Sequence, residues 1–436
     1  MTGPRVVWFV NHYATSEQSE GRSGRHEQFA RHLPDHGWRA VVVAASTDHP
    51  SGRQTLGRWR LRERWVGPRH EFLWLRGVSY STSSVRRVLD IVSFTVLLLL
   101  PGALRGVPRP DLVVGGSVHP LAAWAASLLA RRRGVPFVYE PRDLWPETLV
   151  QFGALSRRSP VTHVLSALER CCVARAAHVV SPLEGAGRYF AERGLVAPFT
   201  WVPNGVSRDL ADDETTASTV PSRSTLSSDA TFEITYLGSM GRSNSLAPVV
   251  DAFDRAAGRE GGEHLVLRLV GTGPDRPGLE RRAAAARHGD RIVFEGPVSQ
   301  ARARAMGRGA DCLVANLRPL DLYRHGTSLN KYFEYLLLAK PVVLGASVPH
   351  DPVTESGAGL RVPGDDVEAL ADAISTVAAM SPRERRETGA RGRRHVLSRY
   401  EHAVLAPRLA AALDAALATE LATEPPPARR RRGARP

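Results

Sequence analysis

The stretch FEITYLGSMGRSNSLAPVVDAFDRAA, residues 232–257, decides the fold class. FEITYLG is typical of a strand that ends at a glycine, and SLAPVVDAFDRAA is typical of a helix. A strand, a glycine-containing turn and a helix form one unit of a parallel sheet that is covered by helices on both faces. Because such units recur along the chain, the sequence predicts an α/β protein.

The units fall into two groups separated by a Ser-, Thr- and Asp-rich stretch without periodicity, residues 207–230. We therefore predict two doubly wound, Rossmann-like domains at residues 1–206 and 231–398, joined by that linker. Residues 399–420 are predicted to form a C-terminal helix that can cross back to the first domain. Two such domains would leave a cleft between the carboxyl ends of their strands, where these sheets bind ligands.

The composition is that of an ordinary globular protein, with 43% hydrophobic and 23% charged residues among 436. The three cysteines cannot form the disulfide framework of a secreted protein, and their spacing matches no metal site. The N-terminus leads directly into a strand, without the basic and apolar regions of a signal peptide. We therefore expect a cytoplasmic protein without a bound metal.

The formal net charge of +14 comes mainly from arginine. Residues 421–436 are rich in arginine and proline, and we expect this tail to be disordered. Nucleic acid or anionic lipid could attract such charge, and a merely solubilising tail is the alternative. Because the sequence contains no nucleic-acid-binding module, we expect no nucleic-acid partner.

One apolar run, Ile91–Leu100, follows Arg86 and Arg87. It is too short to span a bilayer, which needs about 20 residues. It is either a buried helix or an interfacial segment whose arginines lie at the level of lipid headgroups. The second alternative predicts a peripheral protein on an anionic membrane surface.

SLNKYFEYLLLAKPVV, residues 328–343, predicts a helix that Thr327 or Ser328 would cap. Lys331 would then lie in the first turn, where the helix dipole disfavours a cation. An ion pair with Glu334 on a solvated face is one explanation. The other is an anion that docks on the backbone N–H groups of the helix start and on the lysine together.

Three further junctions between strand and helix contain glycine: Gly24 before a helix, the loop with Arg242, and Gly271-x-Gly273 after a strand. A tight turn is the alternative explanation for the last pair, since a third glycine at dinucleotide-binding spacing is missing. Several such junctions together favour a ligand that carries phosphate, so we assign these glycines to its binding site.

The chain resembles the retaining GT-B glycosyltransferases of the family 4 type in a series of motifs that follow in the family's order: VPNGV, YLGSMGR, LVGTGP, FEGPV, GADCLVANL and SLNKYFEYLLLAKPVV. FVYEPRDLWPETLV, residues 137–150, resembles the subgroup that builds O-antigen, capsule or exopolysaccharide, including amino-sugar transferases with polyprenyl-linked acceptors. The resemblance covers roughly residues 5–400. It implies transfer of a hexosyl or N-acetylhexosaminyl group from a nucleotide-diphospho-sugar to a hydroxyl acceptor, with no cofactor.

The resemblance also implies donor-site roles. Arg242 and Lys331 would bind the diphosphate, and Glu334 would hold the ribose as the second glutamate of the family's Glu-x7-Glu motif. The first glutamate is replaced by Gly326, which leaves the identity of the sugar open. Metal-independent catalysis is expected, because no Asp-x-Asp pair follows a strand. Two residues would lie along the donor sugar through their backbone groups: Ser328 and Leu329.

On the acceptor side, Glu140 occupies a position where many relatives carry a histidine, and Asp143 follows it closely. Both are candidate catalytic residues, and His119 and Arg25 are candidate acceptor-side residues. The structural alternatives are helix capping by Asp143, an ion pair with Arg142, and a turn position for His119.

Two other functions remain compatible with the sequence. A nucleotide-sugar epimerase would share the fold but requires acid–base pairs around the sugar ring. A non-enzymatic protein could bind membrane or nucleic acid through the arginines of residues 429–435.

Overall fold

A computed structural model describes residues 3–49, 51–81, 84–212, 231–327 and 329–423 of the chain. Its strands form one sheet of eight strands and one of six, each covered by helices. The predicted fold class, two doubly wound α/β domains facing a cleft, is confirmed. Among the described helices, none combines the length and apolarity that a bilayer crossing requires.

The strands of the first sheet are β1 Arg5–Val10, β2 Trp38–Ala45, β3 Arg62–Val66, β4 His70–Leu75, β5 Leu112–Ser117, β6 Phe137–Pro141, β7 His178–Ser181 and β8 Phe199–Trp201. Their order is β3-β4-β2-β1-β5-β6-β7-β8. All neighbours are parallel except β3 and β4. The chain order reverses between β1 and β5, which makes their carboxyl ends the switch point of this sheet.

The helices of this domain are α1 Glu17–Glu20, α2 Arg25–His32, α3 Ser84–Leu99, α4 Pro120–Arg133, α5 Glu147–Gln151, α6 Pro160–Arg175 and α7 Ala186–Ala191. Helix α4 packs between α3 and α6 on one face of the sheet. A one-turn helix, α8 Asp209–Asp212, lies in the predicted linker, whose remaining residues, 213–230, lie outside the described part.

The second sheet contains β9 Phe232–Leu237, β10 Leu265–Val270, β11 Ile292–Glu295, β12 Cys312–Asn316, β13 Val342–Gly345 and β14 Gly359–Val362. Its order is β11-β10-β9-β12-β13-β14, entirely parallel. Its helices are α9 Ala247–Ala257, α10 Arg276–Ala285, α11 Gln300–Gly309, α12 Asn330–Leu337, α13 Pro352–Glu355, α14 Val367–Ala378 and α15 Pro382–Arg399. The switch point of this sheet lies between β9 and β12, just beyond Leu237 and Asn316.

The last helix, α16 His402–Thr423, returns to the first domain. Leu409 and Leu413 are buried in the core that contains α2 and β2. The indole nitrogen of Trp38 donates a hydrogen bond to the Asp414 carboxylate at 2.9 Å. Each leucine buried in this way contributes about 1.5–3 kcal/mol, so α16 is an integral part of the first domain.

A 3₁₀ turn of the second domain, Asp321–His325, docks on the first domain. Leu322 enters the core of that domain, and its N–H donates to the Gln151 side chain at 3.0 Å. The Gly185 N–H donates to the His325 carbonyl at 2.9 Å. A Cβ atom at Gly185 would lie 2.8 Å from the His325 Cα, so the two backbones can meet only at a glycine.

Candidate active site

A cavity of about 300 Å³ lies between the two domains. This volume is at the lower end of the range for small-molecule sites. The first domain lines it with Asp143, Leu144, Thr148, Phe152 and Leu183, and the second with Ser243, Asn244, Leu317, Leu322, Tyr323, Gly326, Thr327 and Leu329. The predicted cleft is therefore present, and the loops after β9 and β12 form one of its walls.

Lys331 lies at the switch point of the second sheet, next to this cavity. Its ammonium donates to the Asn244 side-chain oxygen at 3.3 Å and lies 5.3 Å from the centre of the Tyr236 ring. A Cβ atom at Gly238 would lie 2.7 Å from the Lys331 Cε, so the lysine occupies space that only a glycine leaves open. Burial lowers the pKa of Lys331, and Glu334 opposes that effect.

The first turn of α12 is suited to bind an anion. Its N-cap, Leu329, provides no side-chain cap, and the Thr327 hydroxyl donates to Tyr332 instead. The expected cap by Thr327 is therefore wrong, and Ser328 lies outside the described residues. Because the first N–H groups of a helix have no intrahelical acceptors, an uncapped start can donate to a ligand.

The explanation of Lys331 as a solvated lysine paired with Glu334 does not hold. Among the described residues, no carboxylate lies within ion-pair distance of the ammonium, and Glu334 faces solvent without a hydrogen bond of its own. Lys331 and Lys340 are also the only lysines of the chain, against 56 arginines. A compact ammonium is thus used at a position where the close packing over Gly238 leaves little room for a planar guanidinium.

Gly271 and Gly273 have a packing role in the structure. Gly271 has φ +133°, and a Cβ atom there would lie 2.0 Å from the Gly238 carbonyl. A Cβ atom at Gly273 would lie 2.3 Å from the Met240 carbonyl. The two glycines let the loops after β9 and β10 touch, and neither lines the cavity. Gly271 thus packs directly against Gly238, which lies beneath Lys331, and the assignment of the two glycines to donor binding stays a prediction.

Arg242 lies on the other side of the same loop. Its side chain is exposed and lines a second, open cavity of about 590 Å³ at the starts of α9 and α10, with Arg281 and Arg318. The next residues, Ser243 and Asn244, line the interdomain cavity. Arg242 therefore lines this second cavity rather than the interdomain one, and its pairing with Lys331 on one diphosphate stays a prediction.

Glu140 is buried and fully engaged. Its two oxygens accept from the Arg25 Nε at 3.0 Å and from the His26 Nε2 at 2.6 Å. The Arg25 guanidinium also donates to the carbonyls of Val202 and Pro203. Desolvation would raise the pKa of Glu140, but His26 and Arg25 outweigh it and hold that pKa well below its usual range. The geometry makes Glu140 and Arg25 a structural pair rather than substrate-facing groups.

Asp143, in contrast, opens into the interdomain cavity. Its carboxylate has no hydrogen-bond or ion-pair partner among the described residues, and it caps no helix, since α5 begins after Pro146. Although the side chain is exposed to the cavity, desolvation by the surrounding protein raises its pKa against the opposing charge of Arg142. Across the cavity, burial and the Asp143 charge raise the pKa of Tyr323 to about 12.

His119 caps α4: its Nδ1 accepts from the Ala122 N–H at 3.3 Å. Burial lowers its pKa well below 6.5, and its Nε2 has no hydrogen-bond partner in the described part of the chain. Its ring lies 4.9 Å from that of His12, which is paired with Asp90 at 2.8 Å. His12 and Asp90 were not identified from the sequence, because their 78-residue separation gives no local pattern. This buried group lies at the switch point of the first sheet but outside the cavity lining.

Gly24 is the N-cap of α2 in the first domain. A Cβ atom there would lie 2.2 Å from the Thr15 hydroxyl, so close packing explains the glycine. It does not line the cavity, and the structure does not bring it to Lys331. The structure therefore shows a packing role for Gly24, and its assignment to donor binding stays a prediction.

Gly326 lines the cavity and has φ +93°, a conformation that strongly favours glycine. A Cβ atom there would lie 3.1 Å from the backbone nitrogen of Glu184 in the other domain. A glutamate would therefore meet both backbone strain and the first domain. The absence of the family's first glutamate agrees with this local backbone. Among the described residues, no three His, Cys, Asp or Glu side chains form a group that could hold a metal ion.

Two family models match the chain, one per domain. The "Glycosyl transferase 4-like domain" matches residues 24–205, and "Glycosyl transferases group 1" matches residues 231–379. No curated protein sequence matches the chain.

Solved structures share the fold at low identity. Sucrose-phosphate synthase from Thermosynechococcus elongatus is 16% identical, with a TM-score of 0.68, over 95% of this chain and 99% of that one. An alpha,alpha-trehalose-phosphate synthase (UDP-forming) from Burkholderia vietnamiensis is 15% identical, with a TM-score of 0.69, over 96% and 100%. Anabaena HepE, in complex with UDP and glucose, is 14% identical, with a TM-score of 0.61, over 94% and 99%. The two matched models and this shared architecture lead to one conclusion: the chain combines a glycosyl transferase 4-like domain with a glycosyl transferases group 1 domain in the two-domain GT-B fold.

Proposed function

We propose that the protein transfers a hexosyl or N-acetylhexosaminyl group from a nucleotide-diphospho-sugar to a hydroxyl of a lipid-linked or polysaccharide glycan, with retention of configuration. The observation that carries the donor class is Lys331, a half-buried cation at the start of α12. No carboxylate among the described residues lies within ion-pair distance of it, and the N-cap residue Leu329 has no capping side chain. The HepE structure with UDP and glucose supports a nucleotide sugar as the donor. Retention and the glycan acceptor rest on the sequence resemblance.

In this proposal the diphosphate lies across the start of α12 and accepts from its N–H groups and from Lys331. The departing nucleoside diphosphate gains negative charge in the transition state, so fixed donors stabilise the transition state more than the bound substrate. Arg242, on the outer side of the loop after β9, provides a second cation toward the nucleotide. Glu334, exposed one turn along α12, is placed to hold the ribose hydroxyls.

The acceptor enters from the side of the first domain. Asp143 is the carboxylate that lines the cavity, and an acceptor hydroxyl can donate to it. Its raised pKa brings it closer to the pH at which a carboxylate is effective as a proton acceptor. Leu329 and Gly326 line the same cavity and would face the donor sugar. The sequence resemblance assigns the same role to Ser328, which lies outside the described residues.

Thermal-shift measurements with UDP-, GDP- and dTDP-sugars test the donor class. A ligand at 100 times its Kd should stabilise the protein by about 2.7 kcal/mol. For the stabilising donor, NMR of the product of transfer to a glycan acceptor gives its anomeric configuration. No stabilisation by any donor at millimolar concentration would refute the proposal, and an epimerised sugar formed without acceptor would indicate the epimerase instead.

A further inference from the structure

Helix α3 is apolar on both of its faces. Phe94 and Leu98 are buried in the core of the first domain. The opposite face is open to solvent and carries a stripe with side chains 43–67% exposed: Val85, Val88, Leu89, Val92, Val96 and Leu100. Their spacing of three or four residues places them along one side of the helix. A contiguous exposed apolar surface of this kind indicates an interaction site.

A neighbouring arm extends the same surface. Trp59 and Leu61, just before the edge strand β3, are 85% and 65% exposed. The arm is joined to the end of α3, because the Arg62 guanidinium donates to the carbonyls of Ala103 and Arg105 at 3.0 and 2.7 Å. The stripe on α3 and this arm, together called the α3 surface, therefore belong to one side of the first domain.

The charge of the α3 surface is mainly positive, although three of its arginines pair with carboxylates: Arg60 with Glu63, Arg64 with Glu71 and Arg69 with Asp35. Residues 51–69 contain six arginines and one carboxylate, Glu63. Residues 84–107 contain Arg86, Arg87, Arg105 and a single acidic residue, Asp90, which is buried against His12. An apolar stripe beside arginines and an exposed tryptophan matches the chemistry of the boundary between acyl chains and anionic headgroups.

We propose that the α3 surface docks the protein on an anionic lipid bilayer, with α3 lying in the plane of the interface. The helix has 16 residues and is too short to cross the bilayer, which leaves the interfacial orientation. This structure also corrects the sequence-based view of the run Ile91–Leu100. Leu98 belongs to the core, and the residues that contact lipid are those of the exposed stripe.

The docked side adjoins the acceptor side of the cleft. The first turns of α3 carry Asp90, which binds His12 at the end of β1, and Arg87, whose guanidinium lies 5.8 Å from the Tyr13 ring. A lipid-linked acceptor could thus present its hydroxyl to the protein while its chain stays in the bilayer. This consequence rests on the proposed function, whereas bilayer docking does not.

Vesicle flotation of the full chain tests the proposal, using phosphatidylcholine vesicles with and without phosphatidylglycerol. The test variant is Val88→Glu/Val92→Glu/Val96→Glu. The control is Val161→Glu/Val164→Glu, whose valines on α6 are similarly exposed, at 54% and 59%. Both variants retain the arginine-rich tail, so the tail cannot account for a difference between them.

The triple variant should lose binding to anionic vesicles by at least about tenfold, while the control stays near the parent. Melting temperature and the thermal shift with nucleotide sugars should be unchanged in both, which separates failure of docking from failure of the proposed function. If the triple variant melts early, Trp59→Ala replaces it, because that side chain lies outside the core. Three results would overturn the proposal. They are an equal loss of vesicle binding in the control, no loss of vesicle binding in either α3-surface variant, and loss of a dimer while vesicle binding is unchanged.

Discussion

Substitution of Lys331 by alanine removes the cation on which the donor site depends. Among the described residues its ammonium has one hydrogen-bond acceptor, the Asn244 oxygen, and the Asn244 amide nitrogen donates to the Ser239 carbonyl at 2.8 Å. Folding lowers the pKa of Lys331, which means that the charged lysine is less favourable in the folded chain than in the unfolded one. Removing a cation from the first turn of a helix is also favourable, by about 0.3–1 kcal/mol.

The expected result is therefore a catalytic loss without a stability loss. If Lys331 stabilises the departing diphosphate, kcat should fall by about 10²–10³, equivalent to about 2.7–4 kcal/mol of transition-state stabilisation. Lys331→Arg should not restore kcat, because the guanidinium is larger and planar and the site is closed by Gly238. Lys340→Ala, at the only other lysine, is the matched control and should turn over like the parent.

The assay measures initial rates at saturating donor together with melting temperature. A Lys331→Ala protein with a lowered melting temperature but a normal kcat would make Lys331 a structural residue. Equal losses of kcat in Lys331→Ala and Lys340→Ala would also contradict the reasoning, since only the first residue lies beside the cavity.

Four further outcomes are expected from the same geometry. Asp143→Asn should lower kcat by about 10² or more with an unchanged melting temperature, because its carboxylate faces the cavity and has no partner among the described residues; a parent-like kcat would exclude Asp143 as a proton acceptor. Glu140→Gln should destabilise the protein by about 3–5 kcal/mol by leaving Arg25 buried without its counter-charge. Folding depresses the pKa of Glu140, so ionised Glu140 stabilises the folded state fully above its unfolded pKa of about 4.3. This stabilisation is lost as the pH falls below that value. The melting temperature of Glu140→Gln should therefore depend less on acid pH than that of the parent. Gly238→Ala should lower kcat as Lys331→Ala does, since the new Cβ would displace the lysine; a parent-like rate would mean that the position of Lys331 is unimportant. Initial rates should persist in EDTA, and a loss reversed by added Mg²⁺ would refute metal-independent catalysis.

Local patterns were sufficient for the fold class. The continuous apolar strands and the glycine turns after β9 and β10 lie within single units of the chain, so their sequence indicated the parallel sheets. Strands β3 and β4 gave no such signal: RERWV begins with three charged residues and alternates exposed with partly buried positions at an edge, and HEFLWL begins with two polar residues. Glu71 in β4 is buried because Arg39 and Arg64 pair with it, and those contacts come from other strands.

For the candidate site, the sequence was informative where the chemistry is local. Lys331 could be singled out because a cation in a first helical turn conflicts with the helix dipole. Glu140 could not be separated from Asp143, since the distinction depends on Arg25 and His26, which lie more than 100 residues away along the chain. The position of Arg242 at the second cavity likewise depends on how the loops after β9 and β10 pack, which spacing does not specify.

Amine modification of the chain's two lysines tests the central claim most directly. A small acylating reagent at pH 8, followed by mass spectrometry, reports Lys331 and Lys340 separately in one experiment. With a nucleoside diphosphate or nucleotide sugar from the UDP, GDP or dTDP series at saturation, we predict protection of Lys331, unchanged modification of Lys340, and no protection by the corresponding nucleosides. Unchanged modification of Lys331 with every member of the series would contradict the account, because a diphosphate bound at the start of α12 must cover that ammonium.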